Sequence, residues 1–206
     1  MDEIAQGSPE WFALRCGKAT ASRIADILAK TKSGYSASRK NYAAQLIAER
    51  LTNTVADSYS NAAMQWGTDT EPQARAAYEF HQNVSVSEVG FVDHPQIEMS
   101  GASPDGLVAD DGLVEIKCPN TSTHIDTLLN GKLADKYIIQ MQWQLACTGR
   151  QWCDYVSFDP RLPENMQIFM QRIDRDADRI GDIEDEVQTF LNEIDDTVEK
   201  LRAQYG

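Results

Sequence analysis

The sequence predicts an α/β protein with a central mixed β-sheet flanked by helices and a long C-terminal helix. Three observations carry that expectation. Helical periodicity fills the N-terminal quarter and returns in the C-terminal segment, short β-rich runs lie at 84–118 and 152–173, and a helical stretch at 137–148 separates them. With 206 residues the chain suits one ordinary domain, 1–206, burying roughly 70% of its unfolded surface.

Taken in order, Ser8-Pro9-Glu10 sets Ser at an N-cap and Pro at the first helical position, so a helix leads into Trp11 and Leu14. Thr20 is placed to cap a second helix, in which Ile24, Ile27 and Leu28 recur at helical spacing. Residues 31–38 read as a polar loop before a third helix at about 38–51. Such a loop suits a phosphate backbone and equally a plain connector. Met64, Trp66, Ala74, Ala77 and Tyr78 predict a helical region over Ala62–Gln82 whose second part starts near Pro72, which puts Glu71 close to a helix N-terminus. A surface Glu there only complements the helix dipole. Val84, Val86, Val89, Phe91 and Val92 indicate one or two strands. In the helix at 137–148, Ile138, Met141 and Leu145 form a stripe, with Gln140, Gln142 and Gln144 distributed around it. Strands at Trp152–Phe158 and 166–173 extend the sheet. The last helix, about 177–204, carries Ile180, Ile183, Val187, Phe190, Leu191, Ile194, Val198 and Leu201 on one face.

The chemistry concentrates in Ser103-Pro104-Asp105-Gly106 and in Gly112-Leu113-Val114-Glu115-Ile116-Lys117-Cys118-Pro119. Asp110-Asp111-Gly112 lies between the apolar pairs Leu107-Val108 and Leu113-Val114, as in a β-hairpin. Alternation along the second strand puts Glu115 and Lys117 on one face and Val114 and Ile116 on the other. Charges interrupting an otherwise apolar strand are costly unless paired or bound to metal. Oxygen ligands on Asp105 and Glu115 suit Mg²⁺ or Mn²⁺, which polarise a phosphoryl group and acidify bound water, while Lys117 orients the attacking water. The bare pattern fits solvated charges on a sheet edge equally well, and by itself does not decide between the two.

These residues resemble the PD-(D/E)xK nuclease superfamily, and within it the chain is similar to the phage lambda exonuclease family, also called YqaJ-like viral recombinases. The resemblance runs from about Trp11 to Pro160 through Leu14-Arg15-Cys16-Gly17, Thr20-Ala21-Ser22, Trp66-Gly67 with Glu71, the two stretches above, and Gln140-Met141-Gln142. It implies a restriction-endonuclease-like fold with the active site along one sheet edge. Asp105 and Glu115 are implied as ligands of two Mg²⁺ ions, with Mn²⁺ as substitute, joined by the Ile116 carbonyl and by Glu71 from a helix. Lys117 assists the water, and Gln142 stands beside the scissile site.

The implied activity is 5′ to 3′ exonucleolysis of double-stranded DNA to mononucleotides, leaving 3′ overhangs. A ring-shaped homotrimer and a phage-type single-strand annealing partner are implied as well. Arg15, Ser22 and Ser103 match a pocket for the 5′-phosphate, but Thr123 stands where the pattern has an arginine, with His124 and Lys18 as candidate substitutes. Rival readings are a structure-specific or restriction-like endonuclease and a catalytically silent DNA-end-binding protein. The intact set of Glu71, Asp105, Glu115 and Lys117 disfavours the silent protein.

A net charge of −13 is unusual for a DNA-binding chain, since phosphate affinity comes from Lys and Arg. Its distribution is uneven: residues 1–50 carry eight basic and five acidic side chains. DNA is therefore expected at this N-terminal surface, with Lys30 and Lys32 among its contacts, although solvated charges on ordinary helices give the same composition. Cys16, Cys118, Cys147 and Cys153 lack any C-x-x-C pair, so four reduced thiols are expected. With neither a long apolar run nor a basic leader, the expected location is cytoplasmic, away from any membrane.

Overall fold

The computed structural model describes residues 4–32, 34–56 and 62–206; Ser33, within the expected polar loop, lies outside them. Helix α1 (Pro9–Arg15) starts where Ser8 Oγ accepts from the Trp11 N–H at 3.1 Å. Strand β1 (Ala19–Thr20) and α2 (Ile24–Leu28) follow, and the expected loop contains a two-stranded ribbon, β2 (Lys30–Thr31) and β3 (Gly34–Tyr35). Next come α3 (Ala37–Thr52), α4 (Ala62–Gln82), β4 (Val86–Ser87), β5 (Val92–Asp93), β6 (Ser100–Ala102), β7 (Gly106–Val108) and β8 (Gly112–Lys117). The chain continues through α5 (Thr121–Asn130), α6 (Asp135–Thr148), β9 (Trp152–Phe158), β10 (Ile168–Asp174) and α7 (Ala177–Tyr205).

Five strands in the order β10-β9-β8-β7-β4 form the main sheet, with β8 and β9 parallel and the other pairs antiparallel. A smaller sheet has the order β1-β6-β5. These are mixed sheets flanked by helices with a long C-terminal helix, as the sequence predicts. None of the described helices is long and apolar enough to cross a membrane.

Strand β8 is the structural pivot because both of its faces are covered. Val114 and Ile116 pack with Ala74 and Tyr78 of α4 and with Val156 and Phe158 of β9. On the other face Leu113 packs with Met141, Leu145 and Ala146 of α6 and with Cys153, Tyr155 and Ile180. The alternation read from sequence therefore holds, and it sends Glu115 toward α6. A third apolar cluster, including Ile24, Ile27, Tyr42, Leu46, Trp143 and Phe190, joins α2, α3, α6 and α7.

Three expectations change. Thr20 lies in β1 and its side chain makes no cap hydrogen bond; a 3-10 turn over Ala21–Arg23 separates it from α2. Helix α4 runs unbroken through Pro72, so Glu71 sits within it and not near an N-terminus. A proline in a helix loses its own N–H bond and crowds the carbonyl four residues back, at Thr68, but burial of Thr70, Ala74 and Tyr78 on both sides of it holds the helix together. Helix α5 is an addition to the elements expected from sequence: Asn120 Oδ1 accepts from the Thr123 N–H at 2.9 Å and Gly131 closes the helix at φ 58°.

Candidate active site

The turn before β7 is tied to the middle of β8: Asp105 Oδ2 accepts from the Ile116 N–H at 2.7 Å. The adjacent Glu115 is fully buried, where an unpaired carboxylate would be very costly. Its partners come from its own strand and from α6. Oε1 accepts from Gln140 Nε2 at 2.7 Å and pairs with Lys117 Nζ, while Oε2 accepts from Gln144 Nε2 at 2.6 Å.

Electrostatics bind these groups into one unit. Burial pushes the Asp105 carboxyl well above the usual carboxylate range, and the Glu115 charge adds to this against Lys117. For Lys117, burial acts to lower the ammonium, but Glu115 and then Asp105 outweigh it and hold it above its ordinary value. Glu71 accepts from Arg75 Nη2 at 2.8 Å; burial raises its carboxyl, which Arg75 and Lys117 partly offset and Glu115 reinforces. Glu71, Asp105, Glu115 and Lys117 thus share one field.

Gln142 does not join them. Its Nε2 donates to the Asp174 carbonyl at 2.8 Å and its Oε1 accepts from the Asp176 N–H at 2.9 Å, which ties α6 to the start of α7. Helix rotation is the reason: residues four apart share a face, and two apart point away from each other. Gln140 and Gln144 face Glu115; their i, i+4 spacing puts them on one face together, without saying which face meets β8.

Among the described residues no three His, Cys, Asp or Glu side chains stand together as a metal cage. The donor chemistry nevertheless fits a hard divalent cation. Three carboxyls, two of them raised by burial, share a single lysine, and oxygen donors of this kind suit Mg²⁺.

A cleft of about 1000 Å³ has Trp11, Arg15, Ser22, Thr68, Glu71 and Arg75 in its walls. It therefore joins two of the predicted phosphate residues, Arg15 and Ser22, to one of the carboxylates. The Arg15 guanidinium lies over the Trp11 ring, 3.7 Å from the centroid, and its buried Nε has no hydrogen-bond partner. Trp11 Nε1 in turn donates to Ser103 Oγ at 2.9 Å, so Ser103 keeps its own proton for another acceptor. Thr123 is exposed on the first turn of α5 and is not part of the cleft wall. His124 is no substitute: it is fully buried, with Nδ1 2.7 Å from Ser157 Oγ and Nε2 2.9 Å from the Met166 carbonyl.

The N-terminal basic surplus is largely neutralised within the fold. Lys18 pairs with Asp93, Arg23 with Asp26, Lys30 with Glu186, Arg39 with Glu193 and Arg50 with Asp195. Three of those acids belong to α7, so Lys30 is no free cation. Lys32, exposed, has no ion pair among the described residues, and neither has Arg15.

Fold and site together define an α/β protein of the phage-exonuclease type with a carboxylate–lysine centre on the sheet. The chain belongs to the YqaJ-like viral recombinase family, whose domain matches residues 10–151. It is similar to LHK-Exo in complex with dAMP, with a TM-score of 0.90 and 56% identity over 96% of this chain and 97% of that one. The structure of the alkaline exonuclease LHK-Exo from Laribacter hongkongensis matches with a TM-score of 0.89 at the same identity and coverage. A phage-related exonuclease from Haemophilus somnus 129PT shares the fold, with a TM-score of 0.70 and 16% identity over 89% of this chain and 96% of that one. Comparison with proteins of curated function gives no match.

Proposed function

We propose that this chain is a Mg²⁺-dependent exonuclease that digests one strand of double-stranded DNA in the 5′ to 3′ direction to mononucleotides, leaving 3′ overhangs for phage-type recombination. The observation that carries this reading is the convergence of Asp105, Glu115 and Lys117 in a chain 56% identical to an alkaline exonuclease. The dAMP bound to that relative is in keeping with a mononucleotide product.

Asp105 and Glu115, with Glu71 and the Ile116 carbonyl, are the residues that would hold two Mg²⁺ ions, Mn²⁺ being a substitute. When bound, the metal supplies Lewis-acid polarisation of the scissile phosphate and a more acidic water. Lys117, kept charged by its two carboxylate neighbours, orients the attacking water and offsets negative charge developing on the phosphoryl oxygens. Gln140 steadies Glu115 from α6. Arg15 and Ser22 in the cleft, with Ser103 behind Trp11, take the 5′-phosphate, and Arg15 suits that task because no carboxylate claims it. Lys32, an exposed cation without an ion pair among the described residues, is available to a phosphate backbone, and the acidic remainder of the surface repels DNA elsewhere.

In this reading the working form is a homotrimeric ring on duplex ends, partnered by a phage-type annealing protein. Light scattering then gives three times the 23.0 kDa of one chain. Linear duplexes labelled separately at each end test the chemistry: with Mg²⁺ only 5′ label is released early. Early release from 3′ ends refutes the polarity, and cutting of a covalently closed circle marks an endonuclease.

A further inference from the structure

Gln144 is fully buried in α6, and its amide is only half satisfied. Nε2 donates to Glu115 Oε2 at 2.6 Å, whereas Oε1 is buried without a hydrogen-bond partner. A stranded carbonyl lowers stability, so a residue that merely filled this space would be better apolar. Its neighbours Met141 and Leu145 are apolar and equally buried. Gln142 shows the contrasting case, a buried glutamine with both amide ends used on backbone groups at 174 and 176. Gln144 retains its stranded oxygen in exchange for one bond, to the Glu115 oxygen that Lys117 and Gln140 do not touch. The terminal torsion of a glutamate is soft, and a carboxylate held through one oxygen alone can turn about it. Held through both, it cannot.

We propose that Gln144 is a positioning residue that fixes the plane of the Glu115 carboxylate, so that Oε1 is presented beside Lys117 to the divalent cation. The proposal rests on the reading of Glu115 as a metal ligand. Partners that orient a ligand commonly change metal affinity by about 10–100-fold.

The test is Mn²⁺ binding to the full chain without DNA, followed by electron paramagnetic resonance, with thermal melting alongside. Gln144→Met keeps length and volume while removing the donor, and is expected to weaken Mn²⁺ about 10–100-fold. Gln142→Met is expected to lower the melting temperature with Mn²⁺ affinity within about twofold of wild type. Wild-type Mn²⁺ affinity in Gln144→Met overturns the proposal, and so does an equal loss in Gln142→Met, which would mark a general loosening of α6. If Gln144→Met does not fold, Gln144→Asn draws the amide out of reach by one methylene and is read the same way. A Glu115→Gln variant that binds Mn²⁺ like wild type sinks the metal reading itself, and the positioning proposal with it; undiminished binding in Gln144→Met alone sinks only the latter.

Discussion

Lys117 and Glu115, alternate residues on one face of β8, form an ion pair inside the main sheet, with Glu115 fully buried and Lys117 reaching partly to solvent. The pair leaves Asp105 and Glu71 in the field of the same ammonium, so this lysine is part of the structure of the site as well as a candidate for its chemistry.

Removing Lys117 therefore has two separable effects. Lys117→Ala should abolish cleavage, because the water loses its orienting cation, and should cost about 3 kcal/mol of stability by stranding a buried carboxylate. Mg²⁺ should restore stability more in this variant than in wild type, since the metal offsets the same charge. Urea denaturation with and without Mg²⁺ checks this; an equal Mg²⁺ increment in both proteins would show that Lys117 and the metal do not share the site. Asp105→Ala should be equally inactive while still binding DNA ends.

Helix α4 carries Glu71, and seven residues further on it is pinned to the sheet. Tyr78 O–H donates to Asp154 Oδ2 at 2.8 Å, and Asp154 also receives both prongs of Arg172, at 2.8 and 2.9 Å. Tyr78→Phe should lower stability by about 1–2 kcal/mol, because a buried carboxylate loses one of three donors and keeps a bidentate arginine. Equilibrium unfolding measures this, and a neutral result would mean that Arg172 alone satisfies Asp154.

What the sequence made legible follows from local rules. Strand alternation placed Glu115 and Lys117 together because a period of two fixes the faces once the strand is known. The Ser8 cap and the α7 stripe are legible for the same reason. Helix rotation is not local: which glutamine of α6 meets Glu115 depends on how the helix rolls against β8, and the sequence order Gln140, Gln142, Gln144 does not decide it. The charge surplus near the N-terminus overstates the number of unpaired cations for a related reason, since Glu186, Glu193 and Asp195 lie far along the chain and return through tertiary packing to pair with Lys30, Arg39 and Arg50. Pro72 reads as a break only when the burial on both sides of it is unknown.

Acid should reveal Asp159, a fully buried carboxylate after β9. Burial acts to raise its pKa, but hydrogen bonds from Arg161 and Thr121 prevail and bring it down to about 2. A carboxyl whose folded pKa lies below its unfolded value contributes stability above the unfolded pKa, near 4, and loses it as pH falls through about 2. Asp159→Asn removes that contribution at neutral pH, so the stability gap between wild type and variant should narrow between about pH 4 and pH 2. Thermal melts across this range decide it; a constant gap would show that the Arg161 bonds do not favour the ionised form.

The last prediction concerns the 5′ end. Arg15 is a part-buried guanidinium stacked on Trp11, without an ion pair among the described residues, in a cleft that also holds Glu71. Burial lowers its pKa against the fields of Tyr42 and Glu49, yet an arginine stays charged, so the cost of holding this cation is recovered when an anion arrives. His124 is committed to Ser157 and Met166, and Lys18 to Asp93, so neither stands ready to take over the task of the missing arginine. Arg15→Ala should therefore nearly erase the rate difference between 5′-phosphorylated and 5′-hydroxyl duplexes, a loss of about 1.5–3 kcal/mol for a charged hydrogen bond. Trp11→Leu should reduce the same difference less severely, by freeing the guanidinium that the indole holds in place. Thr123→Arg, on the exposed first turn of α5, should widen the difference if that turn meets the DNA end. Initial digestion rates on the two substrates measure all three, and an unchanged ratio in Arg15→Ala would place the phosphate on other residues of the cleft.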